Sequence, residues 1–195
     1  MNGQQIAKLG DPFFYCRRMP LLEIRRHAER GDRSNEQSAL APAGRAMAEA
    51  LAKRAAKYAL VLSSPLPRAK ETAQLVAGRL DAIDPGLLPE MGGAIGDRIF
   101  GDMRTLADWE AVLAEREDAR KFALEQLRTW ARIAARVKDG DRALAISHGG
   151  IIELPALTLA KQLGTTLSGS AFGYCEGVLV TYRSGTSTMI EALRV

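Results

Sequence analysis

Both histidines of this 195-residue chain follow short apolar runs that end in polar residues. His27 comes after "LLEIRR" and His148 comes after "RALAIS". Each run is typical of a buried β-strand, and a third run, "YALVLSS", leads to Arg68. Because ligands of open α/β sheets bind beyond the carboxyl ends of the strands, we expect these three side chains to meet at one edge. Imidazole and guanidinium groups gathered there would be suited to binding a phosphate.

Helical spacing of apolar residues follows each of the first two predicted strands. It runs from Ala43 to Ala55, with Pro42 suited to a helix start, and again from Ala69 to Leu80. Two successive strand–loop–helix units predict a parallel sheet whose strands are joined by crossover helices.

The second half of the chain predicts a long helical stretch and a group of strands. Helical spacing extends from Leu106 to Val137, ahead of the strand "RALAIS". The segments "AFGYC", "GVLVTYR" and "STMIEAL" predict further strands, the last two joined by a turn at Ser184 and Gly185. The sheet is therefore expected to be mixed, with an antiparallel C-terminal part.

The chain is expected to form an arm and one domain. We predict that residues 1–20 form an irregular N-terminal arm and that residues 21–195 form a single domain, a length that can bury a sizeable core. Residues 81–105 are rich in glycine and proline but keep apolar residues. This pattern indicates an irregular insertion rather than a linker.

The composition, 47% hydrophobic and 26% charged, is that of a soluble globular protein. No apolar run is long enough to predict a membrane span, and no secretion signal is recognisable. The net charge is +4, but acidic residues are interleaved with the basic ones, so we expect no nucleic-acid partner. Cys16 and Cys175 lie far apart, which favours reduced thiols in a cytoplasmic protein, and no spacing of cysteine and histidine predicts a metal site.

Three motifs, weak one by one, together resemble the signatures of a known family. They are "RRHAE" (25–29), "SSPLPRAKETA" (63–73) and "SHGG" (147–150), and in this order they resemble the histidine phosphatase superfamily, with its phosphoglycerate mutase-like fold. "LAPAGRAMAEAL" (40–51) is similar to the first helix of that family. The resemblance implies a three-layer α/β/α sandwich with a mostly parallel central sheet.

The resemblance also implies a role for the residues of the motifs. His27 would be the nucleophile, attacking phosphorus as a neutral imidazole whose pKa is lowered by the adjacent cations. Arg26 and Arg68 would bind the phosphoryl oxygens, and His148 would stabilise charge on the transferring group. The backbone at Gly149 would approach the phosphate closely. No metal and no organic cofactor is implied.

A leaving alkoxide also needs a proton, which an acidic residue of the insertion supplies in the family. Glu90 in "LLPEMGG" resembles that position, and Asp97 and Asp102 are its rivals. Arg98 and Arg104, in the same stretch, are candidates for holding a second anionic group or are simply surface residues.

The sequence departs from the family pattern after the nucleophile. Where an asparagine commonly binds phosphate, six residues on, this chain has Arg33, and Asn35 follows two residues later. Either is a candidate for that contact. Pro155 falls inside the expected last crossover helix, so that helix is expected to start late or to kink.

The predicted function is hydrolysis of phosphomonoesters through a phosphohistidine on His27. The short interval between Arg68 and His148 favours a phosphatase over a phosphoglycerate mutase, which would use the same site. A non-catalytic, phosphate-binding regulatory module is the third possibility. The expected partner is a phosphorylated small molecule or a phosphoprotein, whereas the oligomeric state cannot be read from the sequence.

Overall fold

A computed structural model of the protein describes residues 19–88 and 103–195. Within these ranges six strands form one sheet: β1 (Leu21–Arg26), β2 (Leu60–Ser63), β3 (Ala82–Ile83), β4 (Arg142–Ser147), β5 (Gly177–Arg183) and β6 (Thr186–Leu193). Their order across the sheet is β3-β2-β4-β1-β5-β6. The first four strands run parallel, while β5 is antiparallel to both β1 and β6. The sheet is therefore mixed, with its antiparallel part at the C-terminus, as predicted.

Five α-helices cover the two faces of the sheet. They are α1 (Pro42–Ala52), α2 (Pro67–Ala77), α3 (Leu106–Glu115), α4 (Glu117–Ala134) and α5 (Glu153–Gln162). A 3-10 turn at Pro85–Leu87 follows β3. Helices α1 and α2 pack together on one face, and α3, α4 and α5 pack together on the other. The predicted three-layer α/β/α fold is confirmed.

Alternating side chains of the strands supply the two cores. In β4, Ala143 and Ala145 join the core beneath α3, α4 and α5, whereas Leu144 and Ile146 join the core beneath α1 and α2. This alternation follows from the two-residue repeat of a strand. Since β4 is apolar on both faces, it is buried in the middle of the sheet, where it can position whatever follows its carboxyl end.

The predicted helix over 106–137 is in fact two helices. Arg116 has extended backbone angles (φ −115°, ψ 120°), so α3 ends and α4 begins there. No glycine or proline marks this break in the sequence "LAEREDAR". The break is stabilised by local contacts: the Arg116 guanidinium bonds the Asp118 carboxylate, and Asp118 accepts the Ala119 N–H.

The structure also decides three predictions made for the C-terminal half of the chain. The segment "AFGYC", residues 171–175, is not a strand: Cys175 has φ 63°, and β5 starts only at Gly177. Pro155 lies in the first turn of α5, where a missing N–H costs no hydrogen bond, so the helix starts late. The turn at Ser184 and Gly185 is confirmed, and its positive φ angles (50° and 80°) suit a two-residue hairpin.

The N-terminal arm and most of the insertion fall on residues outside the described ranges. Of the predicted insertion, residues 81–88 contain β3 and the 3-10 turn, and residues 103–105 lead into α3. Across the described residues, every helix is too short or too polar to cross a membrane.

Candidate active site

The parallel pairing of β1 with β4 brings the two histidines together. Arg26 is in register with Ser147, and the His27 N–H donates to the Ser147 carbonyl (3.0 Å). The next residue along β4's chain is His148. The two imidazole rings lie 5.0 Å apart, centre to centre, at an angle of 62°. The expected meeting of the histidines at the carboxyl edge of the sheet is therefore confirmed.

His27 is held with one ring nitrogen available as a nucleophile. Its Nδ1 lies 2.6 Å from the Ala28 carbonyl oxygen, which can only accept, so Nδ1 carries the hydrogen. The unprotonated Nε2 accepts from Arg68 Nε at 3.1 Å. Burial lowers the pKa of His27 to about 3; the bond to Ala28 opposes this, and Arg68, Arg26 and Arg30 add to the lowering. Nearby cations were expected to keep His27 neutral, but loss of solvation is the larger cause.

Arg68 reaches the nucleophile from the first turn of α2. It is buried, and its backbone carbonyl accepts the hydroxyl of Thr72, which in turn accepts the Ala28 N–H. Thr72 thus ties the helix to the residue that follows the nucleophile. The other two guanidinium nitrogens of Arg68 donate to Glu36, one to its backbone carbonyl (2.6 Å) and one to its carboxylate (2.7 Å).

Arg26 has part of its donor capacity unused. One terminal nitrogen donates to the Phe172 carbonyl (2.9 Å), and the guanidinium carbon lies 4.6 Å from the centre of the Tyr174 ring. Its Nε is buried and has no hydrogen-bond partner among the described residues. A Cβ on Gly149 would come within 2.8 Å of this guanidinium, so a larger residue there would displace the Arg26 side chain.

His148 is buried, and its Nε2 lies 2.6 Å from the Ser64 hydroxyl. The Nδ1 of the same ring is buried without a partner among the described residues. Burial, then the charges of His27, Arg68 and Arg26, hold the pKa of His148 well below its usual value. Both imidazoles are consequently neutral at pH 7.

A buried carboxylate supports the loops around Arg26. Glu153, at the start of α5, accepts the Gly150 N–H (2.7 Å) and the Phe172 N–H (3.0 Å). Burial raises the pKa of this carboxyl group, and Arg26 opposes the rise. Through Phe172, whose carbonyl accepts from Arg26, Glu153 joins the "SHGG" turn to the guanidinium.

The charges of this site suit an anion. Arg26, Arg30 and Arg68 all lower the pKa of His27, so all three lie close enough to act on it. Two buried nitrogens, Nε of Arg26 and Nδ1 of His148, have no partner in the described part of the chain. Unpaired buried polar atoms are costly unless a ligand satisfies them. A phosphoryl group offers both the charge and the acceptor oxygens that the site needs.

The remaining sequence candidates are placed less favourably or lie elsewhere. The Arg33 side chain is 73% exposed and lies 3.9 Å from the Glu29 carboxylate. The Asn35 side chain accepts the Gln37 N–H (2.8 Å) within an exposed turn. Neither is brought into contact with His27. Glu90, like Asp97, Arg98 and Asp102, lies outside the described residues, and Arg104 precedes α3 at the surface.

The sequence did not predict the contacts that four residues make in the site. Tyr174 has its ring 5.9 Å from His27, Glu36 binds Arg68, Ser64 binds His148 and Glu153 supports the loops. Only Ser64 carried a signal, since it lies inside the "SSPLPRAKETA" motif. The described residues also include no group of three His, Cys, Asp or Glu side chains that could hold a metal ion.

Solved structures share this fold. A phosphoglycerate mutase from Bacillus anthracis is 18% identical with a TM-score of 0.61, over 91% of this chain and 93% of that one. A mycobacterial glucosyl-3-phosphoglycerate phosphatase is 21% identical (TM-score 0.56; 90% and 97% covered). The alpha-ribazole phosphatase of Shigella flexneri is also 21% identical (TM-score 0.54; 90% and 95% covered). At such identities the likeness shows the fold, and no curated protein sequence matches the chain.

The sequence itself matches a family model over residues 24–191, which include all three motifs. The model describes the histidine phosphatase superfamily, branch 1. The match confirms the resemblance seen in the motifs and, with it, the predicted class of enzyme, a phosphoric monoester hydrolase. This chain belongs to the histidine phosphatase superfamily.

Proposed function

We propose that the protein hydrolyses phosphomonoesters through a phosphohistidine formed on Nε2 of His27. One observation carries the proposal: a buried histidine, with its hydrogen fixed on Nδ1, has an unprotonated Nε2 that accepts from Arg68, and three arginines act on the ring. That arrangement combines an unprotonated nucleophile with a binding site for a dianion.

Binding would use the guanidinium groups of Arg26 and Arg68. Arg26 and Arg68 would donate to the non-bridging oxygens of the phosphate, satisfying the unpaired Nε of Arg26. The Ser64 hydroxyl, which accepts the Leu66 N–H at 3.4 Å, would donate its own hydrogen to Nε2 of His148. That bond would leave the hydrogen of His148 on its unpaired Nδ1, as a further donor to the phosphate.

The first step would be attack of the His27 Nε2 lone pair on phosphorus. A nitrogen–phosphorus bond forms, the bond from phosphorus to the ester oxygen breaks, and the leaving alkoxide takes a proton from a general acid. Glu90 is the proposed acid, on the resemblance of "LLPEMGG" to the family position. Phosphorylated Nε2 leaves the ring positively charged, because Nδ1 keeps its hydrogen on the Ala28 carbonyl.

The second step would return the enzyme to its starting state. Water attacks phosphorus, its proton passes to the carboxylate left by the first step, and the nitrogen–phosphorus bond breaks with its electron pair returning to Nε2. Burial of His27 supports this step, since a neutral imidazole is the favoured leaving group in a site that resists protonation.

Substrate and setting are proposed at the level of class. The substrate is a phosphorylated small molecule or a phosphoprotein, acted on in the cytoplasm, without a metal, an organic cofactor or nucleic acid. Arg33 and Asn35, on the exposed loop beside the site, are proposed to contact substrate only after that loop rearranges. A phosphoglycerate mutase is the second candidate function, since the same first step can deliver the phosphoryl group to another hydroxyl.

The deciding experiment is hydrolysis of an aryl phosphate and of a panel of phosphorylated metabolites, with His27→Ala as the matched inactive control. We expect phosphate release by wild type and a loss of at least about 1000-fold in His27→Ala. Acid-labile label from ³²P-substrate should be trapped on His27. Label on another residue, or no hydrolysis across the panel, would falsify the proposal. Release of free phosphate without transfer to added sugar acids separates phosphatase from mutase.

Two further arms test the proton donor and the absence of a metal. Glu90→Gln should slow esters with poor leaving groups more than aryl phosphates, because only a poor leaving group needs protonation. Equal losses on both substrates would argue against Glu90 as the acid. Chelators should leave the rate unchanged, and a loss that added metal restores would contradict the metal-free reaction.

A further inference from the structure

The anion-binding side of Arg68 is occupied by a carboxylate of the protein itself. Glu36 lies in the loop between β1 and α1, with its side chain 61% exposed. One carboxylate oxygen accepts from Arg68 (2.7 Å), and the other accepts from Arg30 (2.9 Å). A single exposed carboxylate therefore joins two of the three arginines that act on His27.

The guanidinium of Arg68 has every nitrogen engaged. Its Nε donates to Nε2 of His27, and its two terminal nitrogens donate to the backbone carbonyl and the side chain of Glu36. The guanidinium group of Arg68 therefore links the Glu36 carboxylate to the nucleophile, His27. A phosphate that the terminal nitrogens of Arg68 bind would take the donors that now bind Glu36.

We propose that Glu36 is an internal competitor for the phosphate site, whose carboxylate binds Arg68 and Arg30 in the empty enzyme and is displaced when a phosphate binds. This inference rests on the proposed function, because it concerns the same site. Its consequence is weaker binding of inorganic phosphate, and so easier release of the product of hydrolysis.

The difference in burial between the two partners makes displacement feasible. The Arg68 side chain is 4% exposed and tied to His27, whereas most of the Glu36 side chain already contacts solvent. Moving Glu36 into water exposes little new surface, and the exchange leaves Arg68 paired with an anion throughout. A dianionic phosphate gains more than a monoanionic carboxylate from the same cations, so it displaces Glu36, but it binds less tightly than it would to unoccupied arginines.

The contrary role for Glu36 would be to position Arg68 for catalysis. The two roles predict opposite changes. Removal of a competitor strengthens phosphate binding, whereas removal of a positioning group lets Arg68 move and weakens it.

The test is calorimetric titration of the full chain with inorganic phosphate, for wild type and Glu36→Gln. Loss of a partly exposed ion pair predicts binding about fivefold tighter in Glu36→Gln. In Glu36→Gln, the competitive inhibition constant of phosphate and the KM for an aryl phosphate should both be lower than in wild type. Glu36→Ala repeats the test without a side-chain amide that could itself accept from Arg68.

Glu49→Gln is the matched control, since it removes the same charge from an exposed position of α1, away from the residues of the site. Its phosphate affinity should equal that of wild type. Unchanged or weaker binding in both Glu36 variants would overturn the inference, as would equal tightening in Glu49→Gln, which would indicate net charge alone. Phosphate binding is measured without turnover, so an enzyme that hydrolyses nothing would refute the proposed function and leave this comparison interpretable.

Discussion

Two arginines, Arg25 buried and Arg26 partly buried, stand next to each other in the sequence, on opposite faces of β1, and their surroundings differ. Arg25 bonds the Glu23 carboxylate and the Cys175 carbonyl, and Glu23 is further bound by Tyr58 and Arg142. Arg26 has no carboxylate within ion-pair distance among the described residues, and its Nε is unpaired.

The difference separates a structural cluster from a binding site. Around Arg25 the guanidinium has a carboxylate and a carbonyl that belong to the protein, so the cluster is complete without a ligand. Around Arg26 the cations outnumber nearby anions, and a buried donor is left over. An unpaired buried donor costs stability, and this one lies among the cations of the candidate site, where an anionic ligand would complete it. Substitution of Arg26 should therefore lower activity, whereas substitution of Arg25 should lower the free energy of unfolding.

The largest effect, a loss of activity, is expected for the arginines of the candidate phosphate site. Arg68→Lys and Arg26→Lys keep the positive charge but lose the planar fork, so we expect kcat/KM for an aryl phosphate to fall by about 100- to 1000-fold. The unfolding midpoint in urea should change little for Arg26→Lys, because Arg26 has few protein partners to lose. Steady-state kinetics and urea unfolding on the same preparations measure both quantities. Full activity in Arg26→Lys would contradict its assignment to the phosphate site.

The opposite result is expected for Arg25→Met. This change leaves the 2%-exposed Glu23 with Arg142 and Tyr58 alone, and breaking a buried pair should cost about 3 kcal/mol of unfolding free energy. The kcat of the protein that remains folded, measured at low temperature, should stay close to wild type. A large fall in kcat with unchanged stability would show that the two arginines do not differ in the way proposed.

The pH dependence of stability tests the burial of the two histidines. The folded pKa of each lies below the unfolded value of about 6.5, so below that pH the unfolded chain binds protons that the folded chain does not. The free energy of unfolding should therefore fall as pH falls from 6.5, by up to about 1.4 kcal/mol per pH unit for each histidine. Urea titrations at pH 7.5, 6.5 and 5.5 measure the slope. His27→Gln should make it shallower; an identical slope would mean that His27 is not buried as a neutral group.

The smallest effect is expected at Ser64, which lies behind His148. Ser64→Ala removes the bond to Nε2 and leaves the tautomer of His148 unfixed, so kcat should fall by about fivefold with KM nearly constant. Ser63→Ala is the control, because the Ser63 hydroxyl bonds the Ser64 carbonyl instead. Equal losses in both variants would point to a general disturbance of the strand end rather than to His148.

The sequence predicted the parts of the site that follow from strand ends. His27, Arg68 and His148 each come after an apolar run, and parallel strands bring such positions to one edge. The helices α1 and α2 were also predictable, because apolar spacing and a proline mark their starts. The resemblance to a family then supplied roles that spacing alone does not give.

What the sequence did not indicate depends on long-range contacts. Tyr174 lies in a segment that alternates like a strand, but the positive φ of Cys175 and the bond from Phe172 to Glu153 turn it towards the site. Glu36 is one carboxylate of a polar loop, and only the fold brings it to Arg68, 32 residues away. Arg25 and Arg26 are identical in type, and only the facing direction of strand side chains separates their roles.

Because the only two histidines of the chain lie together at the candidate site, 5.0 Å apart, the protein is convenient for magnetic resonance. A sample labelled with ¹⁵N in histidine alone would give imidazole signals from these two rings and from nowhere else. The hydrogen on Nδ1 of His27, the tautomer of His148 and any nitrogen–phosphorus coupling could each be assigned in one spectrum, without a single substitution.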